Sequence, residues 1–283
     1  MSAGGVTAAR ERGIQERHLR LGEIELSVQS ELPEVLEDLD VLYAAYQAPS
    51  CRTGVIRLEA RAGPWSPRRG RQFVVRADGA AIYGPHPRNE VYPILEFSIN
   101  GRVIATRSQF LQVHAATLAR NGAALMLAGG SGVGKSTLAA GLLARGWTYF
   151  CDEFALLDPQ TLCVHPFPKA LSIKAGSFEI IRQLGLPLWR RRHYSKHFKG
   201  PVGYIRPPGS TRPRATPCPV RQMVFPRYAA ECEPALRPMP RAAAAMTLAR
   251  CTLNHHAFGV RVMPILCALV RGAECFELDA GPI

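Results

Sequence analysis

The stretch Gly129-Gly130-Ser131-Gly132-Val133-Gly134-Lys135-Ser136 constrains this chain more than any other. It fits G-x-x-x-x-G-K-[ST], in which glycines let backbone N–H groups turn inward around phosphate oxygens, the lysine reaches the outer phosphates and the hydroxyl can ligate Mg²⁺. Such a loop needs a strand before it and a helix after it, and the flanks supply both. The apolar run Ala123–Ala128 enters the loop directly. From Lys135 to Arg145, Leu138, Leu142 and Leu143 fall at helical spacing, and Gly146 supplies a stop. These residues predict a nucleotide site over Gly129–Thr137, with Mg²⁺ on the Ser136 hydroxyl.

Upstream, FLQVHAATLARNGAALMLAGG is two apolar runs about Asn121-Gly122, a pair whose residues both tolerate positive φ, so a hairpin is expected whose second arm leads into the loop. His114 lies on the first arm. It is either a satisfied core histidine or a group brought to the loop through the sheet. Downstream, WTYFCDEF is a short strand that ends in Asp152 and Glu153, the first of them seventeen residues past Lys135. Acids at that strand end can face the phosphate edge of a sheet. One carboxylate would hold Mg²⁺ and the other would take a proton from an incoming hydroxyl; the plain alternative is a solvated strand end. The residues themselves do not say which acid does which.

The succession His114, NG, GGSGVGKST, LLARG and CDEF resembles the C-terminal domain of HPr serine kinases, bacterial protein kinases similar in fold to phosphoenolpyruvate carboxykinase. The resemblance covers residues 109–180. It continues weakly through PVRQMVFPRY and CFELDAG, as in the related group found beside peptide-modification genes, which includes kinases of lasso-peptide precursors. It does not reach the first hundred residues. The resemblance implies an α/β fold with a P-loop mixed sheet and flanking helices, preceded by a strand-rich N-terminal region. It implies that Asp152 is the general base on an acceptor serine, that His114 supports this carboxylate or the transferred phosphoryl group, and that Ser136 and Glu153 serve Mg²⁺. Glu153 stands where the family has Asp. Ser172 and Lys174 stand where it tends to place Glu and Arg, so Lys174 either neutralises charge on the phosphoryl group or is a solvated lysine. The function implied is ATP-dependent phosphorylation of a hydroxyl on a peptide or small protein. A small-molecule kinase and a nucleotide-binding regulator or nucleic-acid-linked ATPase are the alternatives. HPr kinases assemble into rings, which raises a homo-oligomer as an expectation.

Composition narrows the partners. No apolar run approaches the roughly 20 residues of a membrane-spanning helix. The first twenty residues lack a signal-peptide core, and Glu11 and Glu16 speak against a transit peptide. The expectation is a cytoplasmic protein without a membrane partner. The eight cysteines show no C-x-x-C pair and no zinc spacing, as expected of buried apolar residues in a reducing compartment. A net charge of +13, largely from arginine, favours an anionic partner: a nucleotide, an acidic peptide or nucleic acid. With no aromatic-interleaved basic motif, nucleic acid is the least favoured of these.

Along the chain the expected organisation is a flexible tail over 1–20, an α+β region over 21–108 and the kinase-like domain over 109–283. LGEIELSVQS reads as a strand, ELPEVLEDLDVLYAAYQ as a helix, and GVIRLEARAG and RQFVVRADGAAIYG as strands, the last folding back at Asp78-Gly79. This region reads as a flanking layer or a substrate-binding subdomain. ALSIKAGSFEIIRQLGL predicts a strand and a helix. In the basic stretch that follows, Arg190, Arg191, Arg192, Lys196 and Lys199 either draw an acidic peptide or a nucleotide to the site or form a solvated loop. Ten prolines over 201–240 predict short elements and a partly mobile loop, with VRQMVFPRY surviving as a strand. RAAAAMTLARCTLNHHAF and VMPILCALVRG predict helices and CFELDAG a closing strand. His255 and His256 beside Asn254 read as a helix-end cap.

Overall fold

The computed structural model describes residues 13–50, 55–67, 70–190, 194–196, 200–207, 216–228 and 232–281. The N-terminal part comprises β1 (Gln15–Leu21), β2 (Ile24–Ser30), α1 (Pro33–Leu42), β3 (Ile56–Ser66), β4 (Gly70–Ala77), β5 (Ala80–His86) and α2 (Val91–Thr106). Next come β6 (Leu111–Val113), β7 (Ala115–Arg120), β8 (Ala123–Ala128), α3 (Lys135–Ala144), β9 (Thr148–Cys151), β10 (Ala155–Leu157) and β11 (Cys163–His165). They are followed by β12 (Leu171–Lys174), α4 (Phe178–Gln183), β13 (Leu188–Trp189), β14 (Ser195–Lys196) and β15 (Gly200–Ile205). The chain closes with β16 (Cys218–Tyr228), β17 (Ala235–Pro238), α5 (Arg241–Cys251), α6 (His255–Phe258), α7 (Val262–Arg271) and β18 (Glu274–Ala280). The protein is mixed α/β and strand-rich.

The first sheet runs β1-β2-β3-β4-β5. The tail expected over 1–20 is corrected here. Gln15–Leu21 pairs antiparallel with β2, because Leu19 and Leu21 alternate inward and are fully buried. The rest of that expectation, residues 1–12, lies outside the described residues. The β1–β2 turn is seated by Gly22, at φ +63, against the Pro166 carbonyl so closely that a Cβ would collide with it. Helix α1 opens with Pro33, whose missing N–H costs nothing there, and buries Val35, Leu36, Leu39 and Leu42. Asp78 and Gly79 turn the next hairpin at φ 48 and 82, as their identities predict.

The second sheet has the order β6-β10-β11-β16-β8-β7-β9, with β18 and then β17 added at β16. Asn121 and Gly122, at φ 53 and 76, fold β7 back on β8. Strand β8 is apolar throughout because helices cover both of its faces. Leu125 and Leu127 pack with α3, while Ala124, Met126 and Ala128 pack with α5 and α7. β16 lies parallel to β8 on one side. The glycine loop therefore leaves the C-terminal end of a central strand.

A third sheet, β12-β15-β13 with β14 on β15, joins the expected strand at 171–174 to short strands in the basic and proline-rich stretch that follows. Regular structure in 201–240 is more extensive than the prolines suggest. Pro201 and Pro219 sit second in their strands, Pro238 ends β17, and Pro226 lies past Val224, where β16 no longer pairs with β8. The mobile loop expected in this stretch falls partly on 208–215 and 229–231, outside the described residues, as do Arg191, Arg192 and Lys199.

One helical expectation changes, and one helix, α2, was not expected. The helix expected over 241–258 breaks at Thr252–Asn254, where the buried Asn254 side chain accepts the Gln112 N–H (2.9 Å) and donates to the Phe110 carbonyl (2.8 Å), pinning β6. His255 Nε2 donates to the Ala249 carbonyl at 2.8 Å, capping α5 as its position suggests. Helix α2 carries no polar stripe to reveal it, since it buries residues around most of its circumference. It joins the first sheet to Phe154, Phe167 and Tyr204 in one core, so residues before 109 share their interior with those after. Among the described residues no helix is long and apolar enough to cross a membrane, and the cysteines are unpaired.

Candidate functional site

After Ala128 the chain turns through Gly132 and Gly134, both at φ +92, before α3 begins at Lys135. An added Cβ would meet nothing within 4 Å at either position, so glycine is needed for its conformation, not for space. Lys135 is buried, and its ammonium donates to the carbonyls of Gly129 (2.7 Å) and Gly130 (2.6 Å) and to His114 Nε2 (3.2 Å). Burial lowers its pKa. At the other end of α3, Gly146 at φ +86 and the Trp147 N–H close on the Leu143 and Leu142 carbonyls, the stop expected from sequence.

His114 falls between β6 and β7, not within a strand, and its own N–H donates to the Cys251 carbonyl. Its Nδ1 lies 2.8 Å from the Glu153 carbonyl. A carbonyl only accepts, so Nδ1 carries the proton and Nε2 is the acceptor for Lys135. The histidine thus links the phosphate-loop lysine to the backbone of the acid pair, which a core histidine would not do.

Asp152 and Glu153 follow β9, as expected, and they are not a solvated strand end. Asp152 is 4 % exposed; its Oδ2 accepts from Ser136 Oγ at 3.2 Å and its Oδ1 from Tyr149 OH at 2.9 Å. Burial, reinforced by the neighbouring Glu153 charge, raises the Asp152 pKa from 3.8 to about 7, against the opposing pull of Lys169, the Tyr149 hydrogen bond and Lys196. The Tyr149 hydroxyl is itself pushed well above its ordinary value by burial, so it stays a donor. Glu153 is half-buried beside it.

These groups open on a cavity of about 460 Å³. The loop residues Ser131, Gly132, Gly134, Lys135, Ser136 and Thr137 line one side, with His114, Asp152 and Glu153 at its end. Thr137 shares a 2.7 Å hydrogen bond with Ser177, tying α3 to the turn after β12. Gly129, Gly130 and Val133 shape the loop: two of them offer the lysine its carbonyls, and the third packs on Gly129. Lys174 is an exposed residue on the cavity rim, beside Ser172. The far wall is α2, through Phe97, Asn100 and Ile104.

Two lysines belong to the electrostatics of the site: sequence reasoning named Lys196 among residues that draw an anion there and did not single out Lys169. Lys196 was visible only as part of a basic run. It lines the cavity with its ammonium on Ser172 Oγ at 2.9 Å, and burial lowers its pKa. Lys169 is fully enclosed. It pairs with Glu96 at 3.0 Å and donates to Asn100 Oδ1 at 2.8 Å, while Tyr43 and Tyr92 both donate to the Glu96 carboxylate. No local motif marks either lysine, because their partners come from distant elements.

For a divalent cation, the hard oxygens of Ser136, Asp152 and Glu153 are the donors within reach of the loop. Among the described residues no cluster of three or more His, Cys, Asp or Glu forms a metal cage. A hydroxyl and a carboxylate in contact suit Mg²⁺, which takes one or two protein carboxylates and completes its shell with water and substrate phosphates.

Residues 97–184 match the family model described as SynChlorMet cassette protein ScmC. The match begins on the α2 wall of the cavity and ends just past α4, so it spans every residue of the loop, His114, the two acids and Lys174. Comparison with curated proteins gives no match.

Proposed function

We propose that this chain is an ATP-dependent kinase that moves the γ-phosphoryl group of ATP to a hydroxyl, serine foremost, on a peptide or small protein in the cytoplasm. The placement of a glycine loop at the end of β8, with helices on both faces of the sheet, supports an HPr kinase-like fold. The observation that carries the reading is Asp152: a buried carboxylate with a pKa of about 7, held between Ser136 and Tyr149 beside the loop. A general base works best when its pKa lies near the operating pH.

In this reading the backbone N–H groups of the loop and Lys135 hold the phosphates. Lys135 exchanges its longest bond, to His114, for a phosphate oxygen, and His114 stays anchored to the Glu153 carbonyl. Asp152 takes the proton of the acceptor hydroxyl as the new O–P bond forms and the bond to the β-phosphate oxygen breaks, leaving ADP. Ser136 and Glu153 would hold Mg²⁺, which when bound supplies charge neutralisation on the phosphates. Lys196 and Lys174 also line the cavity, and their positive charge would offset the negative charge of the phosphoryl group in flight. Hydrolysis would use the same carboxylate on water, so the product, a phosphorylated hydroxyl or free phosphate, separates a kinase from a work-producing ATPase.

The test is transfer of label from γ-labelled ATP to serine-bearing peptides by the wild-type chain and by Asp152→Asn. Full transfer by the variant would remove Asp152 as the base. ATP turnover stimulated by DNA or RNA, with no phosphorylated product, would replace the kinase reading altogether.

A further inference from the structure

At the opposite end of β8 from the glycine loop lies a second cavity, of about 540 Å³. Four arginines converge on it from four elements: Arg120 at the end of β7, Arg221 in β16, Arg241 at the first residue of α5 and Arg271 at the last of α7. Its floor is the start of β8, and Glu274 is the one carboxylate in its lining. Among the described residues none of the four arginines has an ion-pair partner. Their contacts there are of another kind. Arg120 lies over the Trp147 ring at 6.0 Å, and Arg221 donates to the Gly272 carbonyl at 3.3 Å.

This grouping runs against the stability of the chain itself. Like charges that converge repel, and Arg241 adds a cation to the positive end of its own helix, whose first turn holds no acid. A bound polyanion would reverse each of these costs. Guanidinium groups present planar forks that fit carboxylates two bonds at a time, and the Trp147 ring helps to position that of Arg120. The charges gather in a cup at the strand ends and not along a track, which suits a short run of acidic side chains better than the spaced phosphates of a nucleic acid.

We propose that this cavity is a docking site for an acidic peptide segment, remote from the glycine loop. Strand β8 separates the two by about 20 Å, at roughly 3.3 Å per residue. If the docked peptide is the kinase substrate, a point that rests on the proposed function, its acidic run and its acceptor hydroxyl are at least about 6 extended residues apart.

The experiment is fluorescence anisotropy of labelled hexaglutamate with the full chain, which needs no ATP. The expected result is saturable binding that weakens about tenfold or more in Arg241→Ala/Arg271→Ala and stays unchanged in Arg57→Ala/Arg76→Ala, exposed arginines on the first sheet. The charge-reversed Arg241→Glu/Arg271→Glu should instead bind labelled hexalysine. Equal loss in both alanine pairs would show only diffuse attraction to a basic protein and overturn the proposal. So would a single-stranded oligonucleotide of equal charge that binds more tightly and depends on the same two arginines. Specific hexaglutamate binding without phosphoryl transfer to any hydroxyl would uphold the cavity and sink the kinase reading. Transfer to acidic peptides that is indifferent to the four arginines would do the reverse.

Discussion

Ser136 Oγ donates to Asp152 Oδ2 across 3.2 Å, joining the first turn of the loop helix to the end of the next strand. Tyr149 holds the other carboxylate oxygen at 2.9 Å, so both oxygens of one buried acid are fixed before any substrate arrives. The arrangement orients the acid at a distance from bulk water.

Asp152→Asn keeps the shape and the Tyr149 contact but cannot take a proton. Phosphoryl transfer should fall by about 10²–10⁴-fold, the usual worth of a general base. Nucleotide affinity, measured by calorimetry, should change far less. A parallel collapse of nucleotide binding would show that the acid serves the metal or the fold and not the proton.

The pH dependence has a definite sign. The folded-state pKa of Asp152, about 7, lies above the ordinary 3.8, so between these values the folded chain holds a proton that the unfolded chain has released. This group's contribution to stability is full below the lower value, declines as pH rises through that window and is lost above the upper one. Thermal melts should therefore show Asp152→Asn gaining more over wild type at about pH 8 than at about pH 5. Catalysis requires the ionised form, so kcat/KM should rise with pH through a midpoint near the same upper value. An equal gain at both pH values would contradict the burial of an ionisable group here.

Lys196 pulls the Asp152 pKa down and supplies charge to the cavity. Lys196→Met should lower transfer by about 10–100-fold and move the acidic limb of the pH–rate profile to higher pH, with Lys196→Arg restoring part of both. A loss of rate with no shift in the limb would mean that the lysine does not act through the Asp152 carboxylate.

Lys169 and Glu96 are both almost wholly enclosed, at 3 % and 2 % exposure. Removing one partner strands the other charge, so Lys169→Met should cost about 3–5 kcal/mol in chemical denaturation. Losing both charges in Lys169→Met/Glu96→Gln should cost less than the single change. If the single substitution is neutral, the pair does not hold α2 against the cavity in the way the structure indicates.

Gly22→Ala offers a check on how the first sheet is seated. The position combines φ +63 with a backbone carbonyl in the space a Cβ would take. Destabilisation of at least about 1 kcal/mol is expected, larger than the same change at the exposed Gly79 turn, where nothing lies within 4 Å.

The sequence by itself determined the local parts of this protein. The Asn121-Gly122 and Asp78-Gly79 hairpins, the apolar run of β8, the glycine loop, α3 with its stop at Gly146 and the acids closing β9 are all written within short windows, where backbone conformation and hydrophobic period act over a few residues. Those windows also contain His114, Ser136 and Asp152 as candidates. Their mutual contacts and the buried state of Asp152 were decided only when the chain closed, because burial is the sum of what distant elements bring. Lys196 arrives from β14, Lys169 from a loop, and Asn100 and Phe97 from α2, a helix buried around so much of its surface that it shows no polar stripe. The convergence of Arg120, Arg221, Arg241 and Arg271 was likewise invisible in a sequence that spaces them over 152 positions, since sheet order and not chain order makes them neighbours. Local propensity named the loop, and the tertiary fold supplied the electrostatics around it.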